Sequence, residues 1–529
     1  MEIKIDSLKV KHISFRAGGL VLLLLTGIGI WILSNTMQAR HQVDLLENML
    51  QAEKYQEARG VFEGLKKYGG TYSEQAANHI TEALAGQMEA VFSQALKGDP
   101  VSPAKIQGLK QFPEQFSPLL DAELTKVTNL YWDQKITYSM LAEELGVLQS
   151  ITGKTTELAK YQYLARAEML RRQYAYDEAE QVLDEALQTY PGDPLLTSRL
   201  TQCWKEAGQL VPYDGPIPHL FFHPLIVYPE LAFDEDNLAQ GYEDYFITVH
   251  EFNRILDALY KNNYLLIGLD TVFAKSEEKG KPVLVKKKLY LPPGKKPLII
   301  SIDDLNYYEY MLKNGNAHKL ILDGKGNIAV LSFTPQGEKV ISRDLEIIPI
   351  LDQFVEKHPD FSWQGEKGII ALTGYQGVLG YRTQDGSPSA EQEKKEVLPV
   401  IRHLKETGWS FASHGYGHLD AAKVSYKIFV RDTLRWKEEV ESLTGATNIY
   451  IYPFGSKVLP GDAKFRYLLD SGFQVLCSVG PTEYLKSTPA YAMMDRRHID
   501  GLAFYYQRDR LRNFFDTESV TDPMRPVQK

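Results

Sequence analysis

The hydrophobic pattern of this chain changes period once, and that change limits the fold more than any other feature. Over residues 39–210 apolar side chains recur every three or four positions, with few prolines or glycines inside the periodic stretches. That spacing builds amphipathic helices. Residues 211–218, Val-Pro-Tyr-Asp-Gly-Pro-Ile-Pro, form a Pro- and Gly-rich linker. Beyond it come short runs that are apolar throughout, at 219–222, 264–267, 297–302, 368–373, 409–412, 448–452 and 474–478. Runs this short, separated by helical or loop segments, read as parallel strands covered on both faces. About seven such units in roughly 300 residues predict an α/β fold, a distorted (β/α) barrel rather than an open sheet. No Gly-x-Gly-x-x-Gly follows any of the runs, which argues against a dinucleotide-binding fold.

The N-terminus constrains location. Lys4, Lys9, Lys11 and Arg16 precede an uninterrupted apolar run over 17–33. The run is longer than a usual signal-peptide core and at the short end of what spans a bilayer. Trp31 falls where indole favours the far interface, and the basic flank keeps the N-terminus in the cytoplasm. Ser34-Asn35-Thr36 is a weak cleavage site, so a retained single-pass anchor is expected over 17–34, with the remainder outside the cell. A chain of 529 residues exceeds one hydrophobic core. The expected organisation is a basic cytoplasmic tail (1–16), the anchor, a helical domain (39–210), the linker (211–218), the barrel (219–510) and a polar tail (511–529). The net charge of −9 offers no basic face for nucleic acid. Cys203 and Cys477 fall in different expected domains, which excludes a disulfide framework.

Two segments of the helical region look alike. One starts Tyr55-Gln56-Glu57-Ala58 and continues to Phe62 and Leu65; the other starts Tyr176-Asp177-Glu178-Ala179 and continues to Leu183, ending at Pro191. Small Ala58 and Ala179 admit a neighbouring helix, and Phe62 and Leu183 fill the next groove one turn on. The pattern is similar to the second helix of a tetratricopeptide repeat, extended in the second copy by Ala167 and Leu170. Residues 70–160 do not match a repeat, so the expectation is a repeat-like domain. It serves as a stalk or as a concave surface for a protein partner. Within the barrel, residues 320–331 read as a β-hairpin with Asp323-Gly324 in its turn.

Barrels of this class place their chemistry at the C-terminal ends of strands. Three of the runs end in polar or turn-forming residues. The first ends Ser301-Ile302-Asp303-Asp304. Adjacent carboxylates repel unless a cation is present, although an ordinary helix cap would also use an aspartate. The second continues Ser413-His414-Gly415-Tyr416-Gly417-His418. Two glycines let the backbone fold so that both imidazoles converge on a metal. No Glu lies between them, as a His-Glu-x-x-His zincin would require. The third ends Ile451-Tyr452-Pro453-Phe454-Gly455, a rigid turn presenting an aromatic ring, suited to a sugar face or to nothing beyond the turn. A further strand end, Thr373-Gly374-Tyr375, makes Tyr375 a candidate to line a substrate groove.

Together and in order, these motifs resemble those of the polysaccharide deacetylase family, carbohydrate esterases with the NodB homology domain, over about residues 218–510. The family's Thr-Phe-Asp-Asp appears as 301–304, its His-[Ser/Thr]-x-[Ser/Thr]-His as 414–418 and its Arg-x-Pro-Tyr as 451–454. The resemblance implies that Asp303 is the general base and that Asp304, His414 and His418 hold a divalent metal, zinc or a similar ion. It implies removal of N-acetyl groups from amino sugars of a cell-wall or extracellular polysaccharide, with Pro453, Phe454 and Tyr375 near the substrate. The chain departs from the family at three places. Ile451 stands where the family has an arginine that orients the base, leaving Arg496 and Arg497 as candidates from a later strand. Gly415 and Gly417 replace hydroxyl residues that buttress the first histidine. The late leucine-x-histidine motif is not recognisable, so His498 is the one imidazole candidate for the acid after His418. These departures motivate an alternative, a degenerate carbohydrate-binding scaffold. A non-haem iron oxygenase would share the ligand set.

Overall fold

Seven strands close into a cylinder. They are β1 (His219–Phe222), β2 (Lys296–Asp303), β3 (Gly368–Leu372), β4 (Trp409–Ser413), β5 (Ile449–Ile451), β6 (Val475–Val479) and β7 (Ala492–His498). Each pairs in parallel with the next, and β7 returns to pair with β1. This computed structural model describes residues 8–526 apart from 69, 98, 100, 153, 154 and 279.

Alternation along each strand separates two cores. Ile299, Ile369, Ala371, Ala412, Ile451, Cys477 and Met494 pack together in one. Their strand neighbours Ile300, Ile302, Ile370, Phe411 and Leu476 join Ile255 and Leu256 of the helix Val249–Lys261 and Val400 and Leu404 of the helix Ala390–Glu406 in the other. The expected barrel of parallel strands is therefore present, with one exchange of staves. Tyr264–Leu266 pairs with the N-terminal half of β2 but lies outside the ring. Its place in the count is taken by β7, whose Asp495-Arg496-Arg497 run hides a buried strand behind polar residues. The hairpin forms between Lys319–Leu322 and Ile328–Phe333, with Lys339–Ser342 as a third antiparallel strand. Asp323 closes its turn by accepting from the N–H groups of Lys325 and Asn327.

The chain divides into two compact units, 1–166 and 167–529. In the first, the helix Leu8–Gln51 leads into Tyr55–Leu65, which buries Tyr55, Ala58, Phe62 and Leu65. Its first seven residues, including Lys4 of the basic tail, lie outside the described residues. Among the described residues one helix, near the N-terminus, is long and apolar enough to cross a membrane, a test that signal sequences also pass. Leu22–Leu25, Ile28, Ile30 and Trp31 on it are exposed.

The second repeat-like helix, Tyr176–Thr189, buries Tyr176, Ala179, Val182, Leu183 and Ala186. Both repeat-like helices follow a left-handed residue, Glu53 at φ 56° and Tyr174 at φ 62°. The second helix belongs to the barrel's unit. Tyr174 stacks on Trp363 with ring centroids 5.7 Å apart, and the Gln364 N–H donates to the Gln173 carbonyl at 2.7 Å. The units thus divide upstream of 211–218, and Val211–Tyr213 of that stretch pairs with Leu289–Leu291. The stretch expected as a polar tail also differs. Leu511, Phe514, Phe515 and Val520 are buried, and Arg525 pairs with Glu251 with neither side chain exposed. Apolar residues scattered among charges gave the segment a polar look, yet they pack on the helix Val249–Lys261 and its surroundings.

Candidate active site and metal centre

The chemistry-bearing residues gather at the C-terminal mouth of the barrel, around a cavity of about 480 Å³. Asp303 is the last residue of β2 and faces inward with Ser301 two positions before it. Asp304 leaves the strand in the left-handed region, φ 60°, so the two neighbouring carboxylates turn apart. The Asp304 N–H donates to the Ala371 carbonyl at 3.1 Å. Tyr308 Oη donates to Asp304 Oδ1 at 2.6 Å and lies 2.6 Å from Thr373 Oγ1, which fixes the carboxylate from behind.

His414 follows β4. Its Nδ1 lies 2.9 Å from the Ile451 carbonyl. A carbonyl only accepts, so Nδ1 carries the proton and Nε2 is left bare to bind a metal. Burial holds the imidazole pKa below its ordinary value and outweighs the carboxylates Asp303 and Asp304, which favours the neutral, ligating form. The loop to His418 is held by Asp432, which accepts from the N–H groups of Tyr416 and Gly417, both at 2.8 Å. A Cβ at Gly415 or Gly417 would stand 3.0 or 3.2 Å from the Asp432 carboxylate. Asp432, on the helix Tyr426–Trp436, thus holds this loop through its backbone N–H groups and stands close behind both glycines.

His418 Nε2 lies 3.5 Å from Asp304 Oδ2. One ligand atom each from Asp304, His414 and His418 lies within 4.8 Å of the other two. Metal–ligand bonds of about 2.1 Å in a tetrahedral site need ligand separations of roughly 3.4 Å, so small side-chain movements suffice. One carboxylate and two imidazoles also suit zinc and its neighbours chemically.

Asp303 has a different partner. Arg496 Nη1 donates to its Oδ1 at 2.7 Å and Nη2 to its Oδ2 at 2.8 Å. Burial alone would raise the Asp303 pKa, but Arg496 and then His414 outweigh it and hold the carboxyl well below the usual range. Of the two candidate arginines, then, Arg496 reaches the carboxylate. Arg497 does not, because it is the next residue on β7 and faces the other way. It donates to Glu483 Oε1 at 2.8 Å, to the Pro481 carbonyl at 3.3 Å and to the Arg510 carbonyl.

His498 lines the same cavity. Its Nδ1 is 2.7 Å from Asp500 Oδ2 and its Nε2 is 2.6 Å from the Gln507 side-chain amide. A second imidazole, His223, lines the cavity from the residue after β1. Its Nδ1 meets the Tyr245 carbonyl at 3.0 Å, so that nitrogen carries the proton. The sequence signal for His223 was present, a histidine directly after an apolar run, and went unused. Asp432 and Tyr308 carried no such signal, since each acts through a contact distant in the fold.

Phe454 stands at the cavity rim, 70% exposed, its ring 4.4 Å from that of His418. Pro453 is buried and sets that turn rather than lining the cavity. Tyr375, an exposed side chain, stacks on Tyr308 at 4.8 Å and does not line the cavity, where Tyr310 takes the wall position. Asp304, His418 and Phe454 all adopt positive φ, 60°, 51° and 58°. Left-handed non-glycine residues cost about 1–3 kcal/mol each, and three of the eleven among the described residues face the cavity.

No family model matches the chain, and no curated protein matches its sequence. Among solved structures it is similar to the Streptococcus pyogenes deacetylase PplD in complex with acetate, at 12% sequence identity and a TM-score of 0.31, over 55% of this chain and 94% of that one.

Proposed function

We propose that the barrel is a metal-dependent hydrolase that removes N-acetyl groups from the amino sugars of a cell-wall or extracellular polysaccharide. The observation that carries this reading is one arrangement. Three ligand atoms from Asp304, His414 and His418 converge beside a second carboxylate, Asp303, that Arg496 keeps ionised. A divalent metal such as zinc, when bound there, supplies a Lewis acid that polarises a carbonyl and acidifies water.

The chain's own residues supply the rest. Asp303 takes a proton from the attacking water, and its bidentate arginine aims it. The amide C–N bond breaks, acetate leaves, and the amine nitrogen needs a proton. His498 is one candidate donor, since it lines the cavity and Asp500 Oδ2 orients its ring from 2.7 Å at Nδ1. His223 is the alternative donor, and single alanine variants separate the two. The exposed Phe454 ring suits the apolar face of a sugar. The apolar N-terminal helix would anchor the protein in the membrane with the barrel outside the cell. The helical unit would serve as a stalk or take a protein partner.

Arg496 weakens the case for a degenerate scaffold, since it restores the base-orienting contact that Ile451 cannot make. The deciding experiment measures metal content and acetate release together, on a panel of N-acetylated glycans. Bound metal with no acetate from any amino-sugar polymer would sink the reaction while leaving the centre intact. Glycan binding by metal-free protein would favour the scaffold.

A further inference from the structure

Arg496 is held by more than Asp303. Its Nη1 also donates to Ser301 Oγ at 3.1 Å, and its guanidinium carbon stands 4.1 Å from the centroid of the Phe221 ring. Ser301 Oγ lies 2.9 Å from His219 Nε2, and His219 Nδ1 lies 3.4 Å from Met494 Sδ. Both Ser301 and His219 are buried.

The directions of these bonds follow from valence. A guanidinium only donates, so Ser301 Oγ accepts from Arg496. The Ser301 proton must then go elsewhere, and His219 Nε2 is the acceptor within reach. His219 therefore carries its own proton on Nδ1, toward the weakly accepting sulfur of Met494. Burial and then the nearby Arg496 charge hold this imidazole far below its ordinary pKa, so it stays neutral and able to accept. Donation therefore runs outward from Arg496, to Asp303 on one side and through Ser301 to His219 on the other.

A leucine at 219 would suit the surrounding apolar layer but would leave the buried Ser301 hydroxyl proton without its acceptor. What it could not do is turn the Ser301 hydroxyl so that a lone pair meets Arg496. That matters because Arg496 enters from β7 and, among the described residues, has no partner on Nε. Its rotation about the Asp303 axis depends on the Ser301 contact and the Phe221 ring.

We propose that His219 is a positioning residue, which through Ser301 fixes the guanidinium of Arg496 and thereby the aim of Asp303. The catalytic part of this rests on the hydrolase reading; the hydrogen-bond chain does not.

The test uses the full chain in detergent, labelled at histidine nitrogens for NMR, beside acetate-release kinetics. His219 should show a protonated Nδ1 and a bare Nε2 across neutral and mildly acidic pH, and Ser301→Ala should move the Nε2 resonance. His219→Leu and Ser301→Ala should lower kcat by about 10- to 100-fold, the range for partners one layer behind a reacting group, with KM and metal content unchanged. His219→Gln keeps an acceptor and should recover most of the loss. In an Arg496→Met background, His219→Leu should cost nothing further. A protonated Nε2 on His219 would overturn the proposal. So would an additive loss in the Arg496→Met background, or a Gln variant no better than Leu. If the wild-type chain releases no acetate, the hydrolase reading fails, and the tautomer result alone decides whether His219 and Ser301 orient Arg496.

Discussion

Two arginine–carboxylate pairs lie buried in the barrel unit, and they are spent differently. Glu251 and Arg525 tie the C-terminal segment to the helix Val249–Lys261. Glu251 Oε1 accepts from Arg525 Nε at 2.7 Å and from the Asp522 N–H at 3.1 Å, and Oε2 accepts from Arg525 Nη2 at 2.7 Å and from the Thr248 N–H at 2.8 Å. Arg525 also reaches the carbonyls of Glu243 and Phe246, both at 2.8 Å. Nothing on Glu251 is left over. Asp303 and Arg496 are paired just as tightly, yet each Asp303 oxygen accepts only one bond from the arginine, Arg496 Nε is unpartnered among the described residues, and both residues line the cavity. A saturated pair resists change and serves the fold. An unsaturated pair beside a cavity keeps lone pairs for chemistry.

The comparison breaks if the two pairs respond alike. Asp303→Asn should reduce acetate release by about 10²–10⁴-fold, the usual worth of a general base, and leave metal content unchanged. Its melting temperature should fall less than that of the other pair's variant, since water in the cavity reaches the stranded arginine. Arg525→Met should do the opposite. An unpaired buried Glu251 costs about 3–5 kcal/mol, visible in denaturant midpoints, with activity per folded molecule intact. Adding Glu251→Gln should recover part of that loss by removing the stranded charge.

A third buried carboxylate sharpens the point, because no arginine serves it. Glu346 accepts from the N–H groups of Ile347 and Leu225 and from Tyr307 Oη, at 2.8, 3.2 and 3.1 Å. Burial outweighs those bonds and pushes its carboxyl up to about 7 from 4.5. Between those two pH values the folded chain binds a proton that the unfolded chain has released. Stability at this group is therefore greatest below the unfolded value and falls as pH rises through the folded one, by on the order of 3 kcal/mol in total. Glu346→Gln should flatten that slope in pH-dependent unfolding. An unchanged slope would mean that the carboxylate is ionised in the folded state without an arginine.

The sequence made the barrel legible because buried parallel strands are apolar throughout and short. Six of the seven staves stood out on that ground. β7 did not, since its inward face carries Arg496 and His498 in place of apolar residues. Asp303, Asp304, His414 and His418 were legible for a related reason: polar residues directly after an apolar strand point to the mouth of the barrel. Their supports were not. Tyr308 and Asp432 act on the metal-side residues through contacts that local spacing does not encode. The C-terminal segment was misread because its anchor is an ion pair with Glu251, far away in sequence.

The smallest expected effect tests the alternation itself. Arg496 and Arg497 are adjacent, carry the same charge and were equal candidates as partners for Asp303. Successive strand residues point to opposite faces, so the one that meets Asp303 excludes the other. Arg497 pairs with the partly exposed Glu483 and with the carbonyls of Pro481 and Arg510. Arg497 is itself buried, so Arg497→Met should cost about 1–3 kcal/mol for the acceptors it strands, and leave acetate release within error. Arg496→Met, one residue away, should behave like a site variant, with kcat falling and metal content held. If Arg497→Met instead lowers kcat as Arg496→Met does, β7 sits one residue out of the register in which Arg497 faces Leu220 and Arg496 faces Val479. A one-residue slip would turn the inward face of the strand out, and the pairing of Asp303 with Arg496 would go with it.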